Sequence, residues 1–372
     1  MPALDFRFLR GGLHFPELGL WLDPHERQTG PDRVFVSHAH SDHTAAHREV
    51  ILTEPTARLM QARLGGKRTE HLLTYGAARR FDGAMTPYNI TLLPAGHIFG
   101  SAMALIEAEG SSLLYTGDFK LRHSLTAECC EPRRADVLVM ESTFGRAKYS
   151  FPPTDDVLRD VIHFCRATIG SRETPMLLCY SLGKSQELLR GLTDAGLPIM
   201  LHDTVHKLTK VYEQLGQSFP RYESFDRARA RGHVLFLPPS VARTALLGDI
   251  GPIRTAVVTG WAIDSSCRYR SRADAAFALS DHADFPDLVE MVKRVAPRKV
   301  FTLHGFAAEF AATLRRLGYD AQALSEPEQL ELLLDDPVEL SAANPTAPKT
   351  GLWKAPAADR AMSTIRGKFI PQ

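Results

Sequence analysis

Cysteine is scarce in this 372-residue chain. Its five residues, Cys129, Cys130, Cys165, Cys179 and Cys267, are odd in number and show no C-x-x-C spacing. That argues against a disulfide framework and a thiolate zinc site, and leaves the cysteines as core residues in a reducing compartment. Long apolar runs are absent too. Nowhere do about eighteen uncharged apolar residues follow one another, and MPALDFRFLRGG carries charges where a signal peptide needs an apolar segment. The sequence therefore reads as cytoplasmic, with no membrane span. An excess of one charge is also lacking: 44 Lys and Arg stand against 43 Asp and Glu, a net charge of +1, so no global field draws polyanions. Any nucleic-acid binding has to be local. With 44% hydrophobic residues the chain can fill a sizeable core, and its length suits two domains or one large elaborated one.

What the chain does have is histidine concentrated in one place. The stretch Val34 to His43, VFVSHAHSDH, packs His38, His40, Asp42 and His43 directly behind a short β-branched and aromatic run that reads as a buried strand. On an extended segment His38, His40 and Asp42 share a face, and His43, on a turn, swings round from the side. Neutral imidazoles and a carboxylate are the donors that ions such as Zn²⁺ prefer, and four within one loop exceed the needs of a single open site. Two metals are expected.

The first ~140 residues carry short strands separated by turn signals. Leu20 to Leu22 ends at Asp23-Pro24; a helix spans Glu54 to Leu64 and stops at Gly65-Gly66. Asn89 to Pro94 delivers Ala95-Gly96-His97 into a turn. Ala102 to Glu107 and Ser112 to Tyr115 read as a hairpin whose second strand runs into Thr116-Gly117-Asp118, and Val137 to Met140 runs into Glu141. From about Pro152, with Thr154 as a candidate N-cap, helical and strand patterns alternate: a helix after Thr154, strand Met176 to Tyr180, helix Lys184 to Leu192, strand Pro198 to Leu201, helix Val205 to Leu215, strand Val234 to Leu237 and strand Ala256 to Thr259. That βαβαβ order predicts a parallel sheet. Ala275 to Leu279 and Val300 to Leu303 then lead to Ser280-Asp281-His282 and His304-Gly305, each followed by an amphipathic helix. The chain thus divides into a core (1–150), an inserted domain (151–270), the second part of the core (271–340) and a Pro- and Ala-containing C-terminal tail (341–372).

A dinuclear hydrolytic site needs two open-sided ligand sets, a bridging carboxylate holding the metals about 3.5–4 Å apart, and a general acid. His38, His40 and His97 can make one set, Asp42, His43 and His304 the other, and Asp118 the bridge, with Asp23 orienting a ligand from outside. Glu141 and His282 remain. A carboxylate accepting from an imidazole fixes its tautomer and raises its basicity, so this pair reads as a proton donor to a departing oxygen. Taken singly, each has the alternative of a capping carboxylate or a satisfied core histidine.

The ordered motifs S-H-A-H-S-D-H, P-A-G-H, T-G-D-F, E-S-T-F-G, S-D-H-A-D and L-H-G-F, spread over residues 5–335, resemble the metallo-β-lactamase superfamily, specifically its β-CASP branch of nucleic-acid nucleases. The resemblance implies an α/β protein: an αββα sandwich binding two zinc ions, manganese being a substitute, with an inserted parallel-sheet β-CASP domain forming the other wall of a nucleic-acid cleft. It implies attack on a phosphodiester by a water activated between the ions. By position, the metal motifs fall on His38, His40, Asp42, His43, His97 and Asp118, and the three β-CASP motifs on Glu141, His282 and His304.

Within the branch, Y-S-L-G-K-S-Q, A-L-S-D-H-A-D-F and L-H-G-F are similar to the bacterial ligase-associated DNA exonucleases of repair operons. Single-stranded DNA or DNA ends are then the expected substrate, and a DNA ligase and a helicase the expected associates. Histidine at the last motif is usual in RNA-cutting members, so an RNA-processing nuclease is the alternative; a small-molecule metallo-hydrolase and an inactive nucleic-acid-binding scaffold stand further off. Ser181, Gly183 and Lys184 resemble the loop with which these enzymes grip phosphate, a plain helix N-terminus being the other reading. Arg268, Arg270 and Arg272, and likewise Arg227, Arg229 and Arg231, would share one face if extended, lining a strand path. A solvated face is the alternative for both trios. Trp261 suits either base stacking or the core.

Overall fold

In the computed structural model of the chain, residues 4–9, 11–241, 248 and 250–324 are described; the expected tail at 341–372 lies outside them. The first six strands form one sheet in sequence order: β1 (Arg7–Leu9), β2 (Gly12–Phe15), β3 (Leu20–Leu22), β4 (Arg33–Phe35), β5 (Glu49–Leu52) and β6 (Thr69–Leu72). Between β5 and β6 lies helix α1 (Glu54–Leu64), whose bounds match those expected from the sequence. Thr53 caps its start by accepting from the Thr56 amide, and Gly65, at φ 64°, ends it in the left-handed region that favours glycine.

Strands β7 (Ala78–Phe81), β8 (Tyr88–Pro94), β9 (Ala102–Ala108), β10 (Ser111–Tyr115) and β11 (Val137–Glu141) build most of a second sheet. Next, α2 (Thr154–Gly170), β12 (Thr174–Leu178), α3 (Lys184–Gly191), β13 (Ile199–Leu201), α4 (Asp203–Gln214), β14 (Glu223–Ser224), β15 (Val234–Leu237), β16 (Ile253–Val258), the short α5 (Cys267–Ser271) and β17 (Ala275–Phe277) follow. Their strands pair in the order β14-β13-β15-β12-β16-β17, every pairing parallel, as helix crossovers require. The chain then returns through α6 (Phe285–Val295) to β18 (Lys299–Leu303), α7 (Ala307–Arg316) and β19 (Ala321–Ala323), which complete the second sheet in the order β19-β18-β11-β10-β9-β8-β7.

The layers follow from which faces are apolar. Leu13, Phe15, Leu20, Leu22 and Phe35 of the first sheet pack on Ile90, Leu92, Ala104, Ile106 and Leu113 of the second, so the two sheets face each other. The outer face of the second sheet is covered by α6 and α7 through Leu288, Met291, Val292, Phe310 and Leu314. Trp21, Val34, Val50 and Leu52 on the outer face of the first sheet are covered by Leu59 and Met60 of α1 and by Leu208 and Tyr212 of α4. This is an αββα sandwich carrying a third, parallel sheet.

Three local expectations change. Thr154 is the first residue of α2, with Pro153 in the capping position, because the helix begins one residue early. Arg268 and Arg270 lie on the helix α5, and Arg227 and Arg229 on a single 3₁₀ turn, so residues two apart point to different faces and neither trio forms an extended comb, which leaves the alternative of a solvated face. Cys165, Cys179 and Cys267 are buried as expected, whereas Cys129 is exposed; all five thiols are free. Among the described residues no helix is long and apolar enough to cross a membrane.

Candidate metal centre

Strand direction brings the polar residues to one place. β3 and β4 run parallel, β10, β11 and β18 run parallel, and β8 shares their direction because it is antiparallel to β9, which is antiparallel to β10. Asp23, the His38–His43 loop, His97, Asp118 and His304 all follow carboxyl ends of these strands, and Glu141 is the last residue of β11. Rigid strand ends with irregular loops are where reactive groups are most readily mounted.

Three imidazole nitrogens converge: His38 Nε2 and His97 Nε2 each lie 3.1 Å from His40 Nδ1. Asp118 Oδ2 stands beside them, 3.5 Å from His38 Nε2 and 3.8 Å from His97 Nε2, and on its other side it lies 3.3 Å from His43 Nε2. His38, His40, His97 and Asp118 form one group of donor atoms within 4.8 Å of one another, and His43, Asp118 and His304 form a second. Asp42 Oδ2 approaches His43 Nε2 at 3.4 Å.

The donor set fits cations. Burial first, then the neighbouring imidazoles His43 and His97, hold His38 well below the usual histidine range; burial and then His282 bring His97 down to about 3. Burial likewise lowers His40, and takes His304 down to about 4. Each of these shifts favours the neutral ring, the form whose lone pair can bind an ion. Around His43 the balance reverses: burial opposes its charge, but Asp118, Asp42 and Asp23 outweigh it and hold the ring well above its ordinary value. Three carboxylates about one buried imidazole demand positive charge, which a divalent ion supplies.

The outer nitrogens are also held. His43 Nδ1 lies 2.9 Å from Asp23 Oδ2, and His38 Nδ1 2.9 Å from Ser37 Oγ, which itself donates to Asp23. Asp23 further accepts from the Ser37 amide and the Tyr115 hydroxyl. His40 Nε2 meets the Leu182 carbonyl at 3.2 Å, and His97 Nδ1 the Asp281 carbonyl at 2.8 Å. Such partners fix tautomer and ring orientation. Asp23 (φ 43°) and His304 (φ 60°) adopt the left-handed region without being glycine, strain that the surrounding bonds hold in place. Gly117 is required: at φ 53°, a Cβ there would sit 2.7 Å from Ser37 Oγ.

Beside Asp118 lies the remaining pair. His282 Nδ1 is 3.1 Å from both carboxylate oxygens of the fully buried Glu141, whose Oε1 also accepts from the Phe119 amide. Burial disfavours the imidazolium, yet Glu141 and then Asp118 outweigh it and push the His282 pKa up to about 10. Its side chain keeps 21% exposure, so the ring carries a proton within reach of solvent.

The loop expected to grip phosphate is placed differently. Lys184 is buried with its ammonium 2.5 Å from Asp281 Oδ1, the Gly183 amide donates to Gln186 Oε1, and Ser181 Oγ contacts Thr204 Oγ1. The lysine offers no free surface charge, because Asp281 is its partner. Arg268 and Arg270 are exposed, the first donating to the Tyr269 hydroxyl and the second to Ser266 Oγ. Trp261 packs between Phe144 and Tyr149, with ring centroids 4.7 and 5.6 Å away, in an aromatic wall whose Phe144 lies 6.2 Å from His282. Sequence reasoning missed Asp281, Leu182 and the buried Lys120–Glu187 pair; the only signals for them were an acid next to His282 and a lysine two residues after Asp118.

The chain is similar to several known proteins. The family model of the Zn-dependent metallo-hydrolase RNA specificity domain matches residues 273–324. A protein of Opitutus terrae named "probable DNA ligase" is 51% identical over 344 residues, 92% of this chain but 33% of that protein, so the chain spans about a third of that relative's length. A probable RNase of Methanocaldococcus jannaschii is 25% identical, covering 77% of this chain and 83% of its own. The 5' exonuclease Apollo of Gallus gallus is 26% identical over 80% of this chain and 64% of its own. A crystal structure of a protein of unknown function from Enterococcus faecalis shares the fold, with a TM-score of 0.52, 12% identity and 79% of each chain covered. With its ordered motifs, its αββα sandwich and these relatives, the chain belongs to the β-CASP branch of the metallo-β-lactamase superfamily.

Proposed function

We propose that this chain is a dizinc nuclease that hydrolyses phosphodiester bonds, acting as an exonuclease on single-stranded DNA or DNA ends in repair. The observation that carries the reading is Asp118 Oδ2, which faces the His38–His40–His97 nitrogens on one side and His43 on the other, next to the His282–Glu141 pair. His38, His40 and His97 would hold one zinc ion, Asp42, His43 and His304 the other, and Asp118 both. When bound, the two ions supply Lewis acidity and a nucleophile at neutral pH.

The chain's own residues do the rest. Asp23 holds His43 by its outer nitrogen and Ser37 by its hydroxyl, which keeps the ligand rings from rotating. His282, kept protonated by Glu141, gives its proton to the departing oxygen. Residues 151–270 serve as the inserted β-CASP domain closing one side of a nucleic-acid cleft between residues 1–150 and 271–340 of the core, and exposed Arg268 and Arg270 meet backbone phosphates.

DNA is favoured by the 51% identity to a ligase-named protein, which also supports action alongside a DNA ligase, and by the likeness to a 5' exonuclease. RNA is the second reading: it is favoured by His304, the RNA-specificity family model and the RNase relative. Matched labelled DNA and RNA strands incubated with the zinc- or manganese-loaded protein separate the two. Shortening of the DNA strand supports the repair reading; shortening of RNA alone overturns it in favour of RNA processing.

A further inference from the structure

Two histidines of the His38–His40–His97 triad are steadied by main-chain carbonyls from outside the histidine loops, Leu182 O for His40 and Asp281 O for His97. These carbonyls belong to segments about a hundred residues apart. One side chain joins them. Lys184 donates its amide to Leu182 O at 3.2 Å and places its ammonium 2.5 Å from Asp281 Oδ1, with both side chains only 3% exposed. We infer that Lys184 is a positioning residue for the metal subsite of His38, His40 and His97: by binding Asp281 it locks together the two carbonyls that orient His40 and His97. The inference rests on the dizinc reading of the site.

The surroundings leave this turn little freedom. A Cβ on Gly183 would lie 2.2 Å from Ile98 Cγ2, so the start of α3 is seated against the residue next to His97. One turn on, Glu187 Oε1 meets Lys120 Nζ at 2.7 Å, a second buried pair, but one that touches neither carbonyl. His43 is steadied by Asp23 instead. Losing the lysine tie therefore loosens one subsite and leaves the other oriented, an asymmetry that a general weakening of the fold does not produce.

The test is a zinc competition titration of the full chain against a chromogenic chelator, which reads the affinity of each ion without substrate. Lys184→Met leaves Asp281 as an uncompensated buried charge and can fail to fold, so the main variant is the double change Lys184→Met with Asp281→Asn, which removes both charges and keeps the Asp281 backbone carbonyl. His97→Ala identifies which affinity belongs to the triad. The expected result is a loss of about 10- to 100-fold at that ion, the range seen when outer-sphere partners are removed, with the other unchanged. Lys120→Met with Glu187→Gln, the same double change at the neighbouring buried pair, should leave both affinities at parent values. Unchanged affinities in the Lys184–Asp281 double variant, equal weakening of both ions, or the same selective loss in the Lys120–Glu187 double variant would overturn the inference. A parent chain that takes up no zinc overturns the dizinc reading itself, before any variant is compared.

Discussion

Replacing Glu141 by Gln tests the acid half of the mechanism while keeping the shape of the site. Glu141 is fully buried, and both its oxygens lie 3.1 Å from His282 Nδ1, with the ring held at about 10 against an ordinary 6.5. That displacement corresponds to roughly 5 kcal/mol favouring the imidazolium, at about 1.4 kcal/mol per unit. Glu141 is the largest attraction holding the proton on the ring and Asp118 the next, while solvent reaching the 21%-exposed side chain screens both. A neutral Gln removes that attraction and leaves burial to act, so the His282 pKa falls. Below its pKa the ring holds the proton that the leaving oxygen needs; above it the proton is gone. Single-turnover cleavage of an end-labelled oligonucleotide from pH 6 to 10, with zinc saturating, should show the parent holding its rate to higher pH than the variant. The Glu141→Gln variant should begin to lose rate at a lower pH, by about tenfold per pH unit once the ring has given up its proton. A variant profile lowered by the same factor at every pH would refute the proton-donor role of this pair.

Four further outcomes are expected. Asp118→Ala removes the oxygen common to both donor groups, so zinc uptake should fall to one equivalent or less by metal analysis and cleavage by more than about 100-fold. Chelation of the parent should lower its melting temperature, and readdition of zinc restore it, because an ion bound only by the folded chain stabilises it by mass action; differential scanning fluorimetry reads both steps. Lys120→Met leaves Glu187 charged and unpaired in the interior, which should cost about 3–5 kcal/mol in urea unfolding, most of it recovered when Glu187→Leu is added. Asp287 is pushed up to about 6 by burial and then by Asp284, so its folded state binds the proton that the unfolded chain releases near 3.8. Stability from this group is full below pH 4 and lost as pH rises through 6. Asp287→Asn should therefore exceed the parent by roughly 1–2 kcal/mol at pH 8 and show no gain at pH 4 in chemical denaturation.

Much of the fold was legible because its elements are locally consistent. The helix at 54–64 carries its own cap and stop, and strands such as 234–237 are short apolar runs between turns, so no distant information was needed. The arginine comb at 268–272 failed for the opposite reason: five residues are too few for a period to separate helix from strand, and packing of Cys267 into the third sheet's core decided for helix. Lys184 failed because an anion at a helix start looks alike in sequence whether it comes from a substrate or from the protein, and here Asp281, 97 residues away, takes the place.

The sequence by itself determined the chemistry on offer: nitrogen and carboxylate donors at strand ends, with glycines where the backbone must turn sharply, since side-chain identity and local spacing are properties of short segments. Only the tertiary structure decided how these donors combine. Strands from two sheets had to align their carboxyl ends before one oxygen of Asp118 could face two groups of nitrogens, and the third sheet had to dock before Leu182 and Asp281 could hold His40 and His97. Those contacts join residues tens to hundreds of positions apart, and only packing of the sheets and helices against one another brings them within hydrogen-bonding distance.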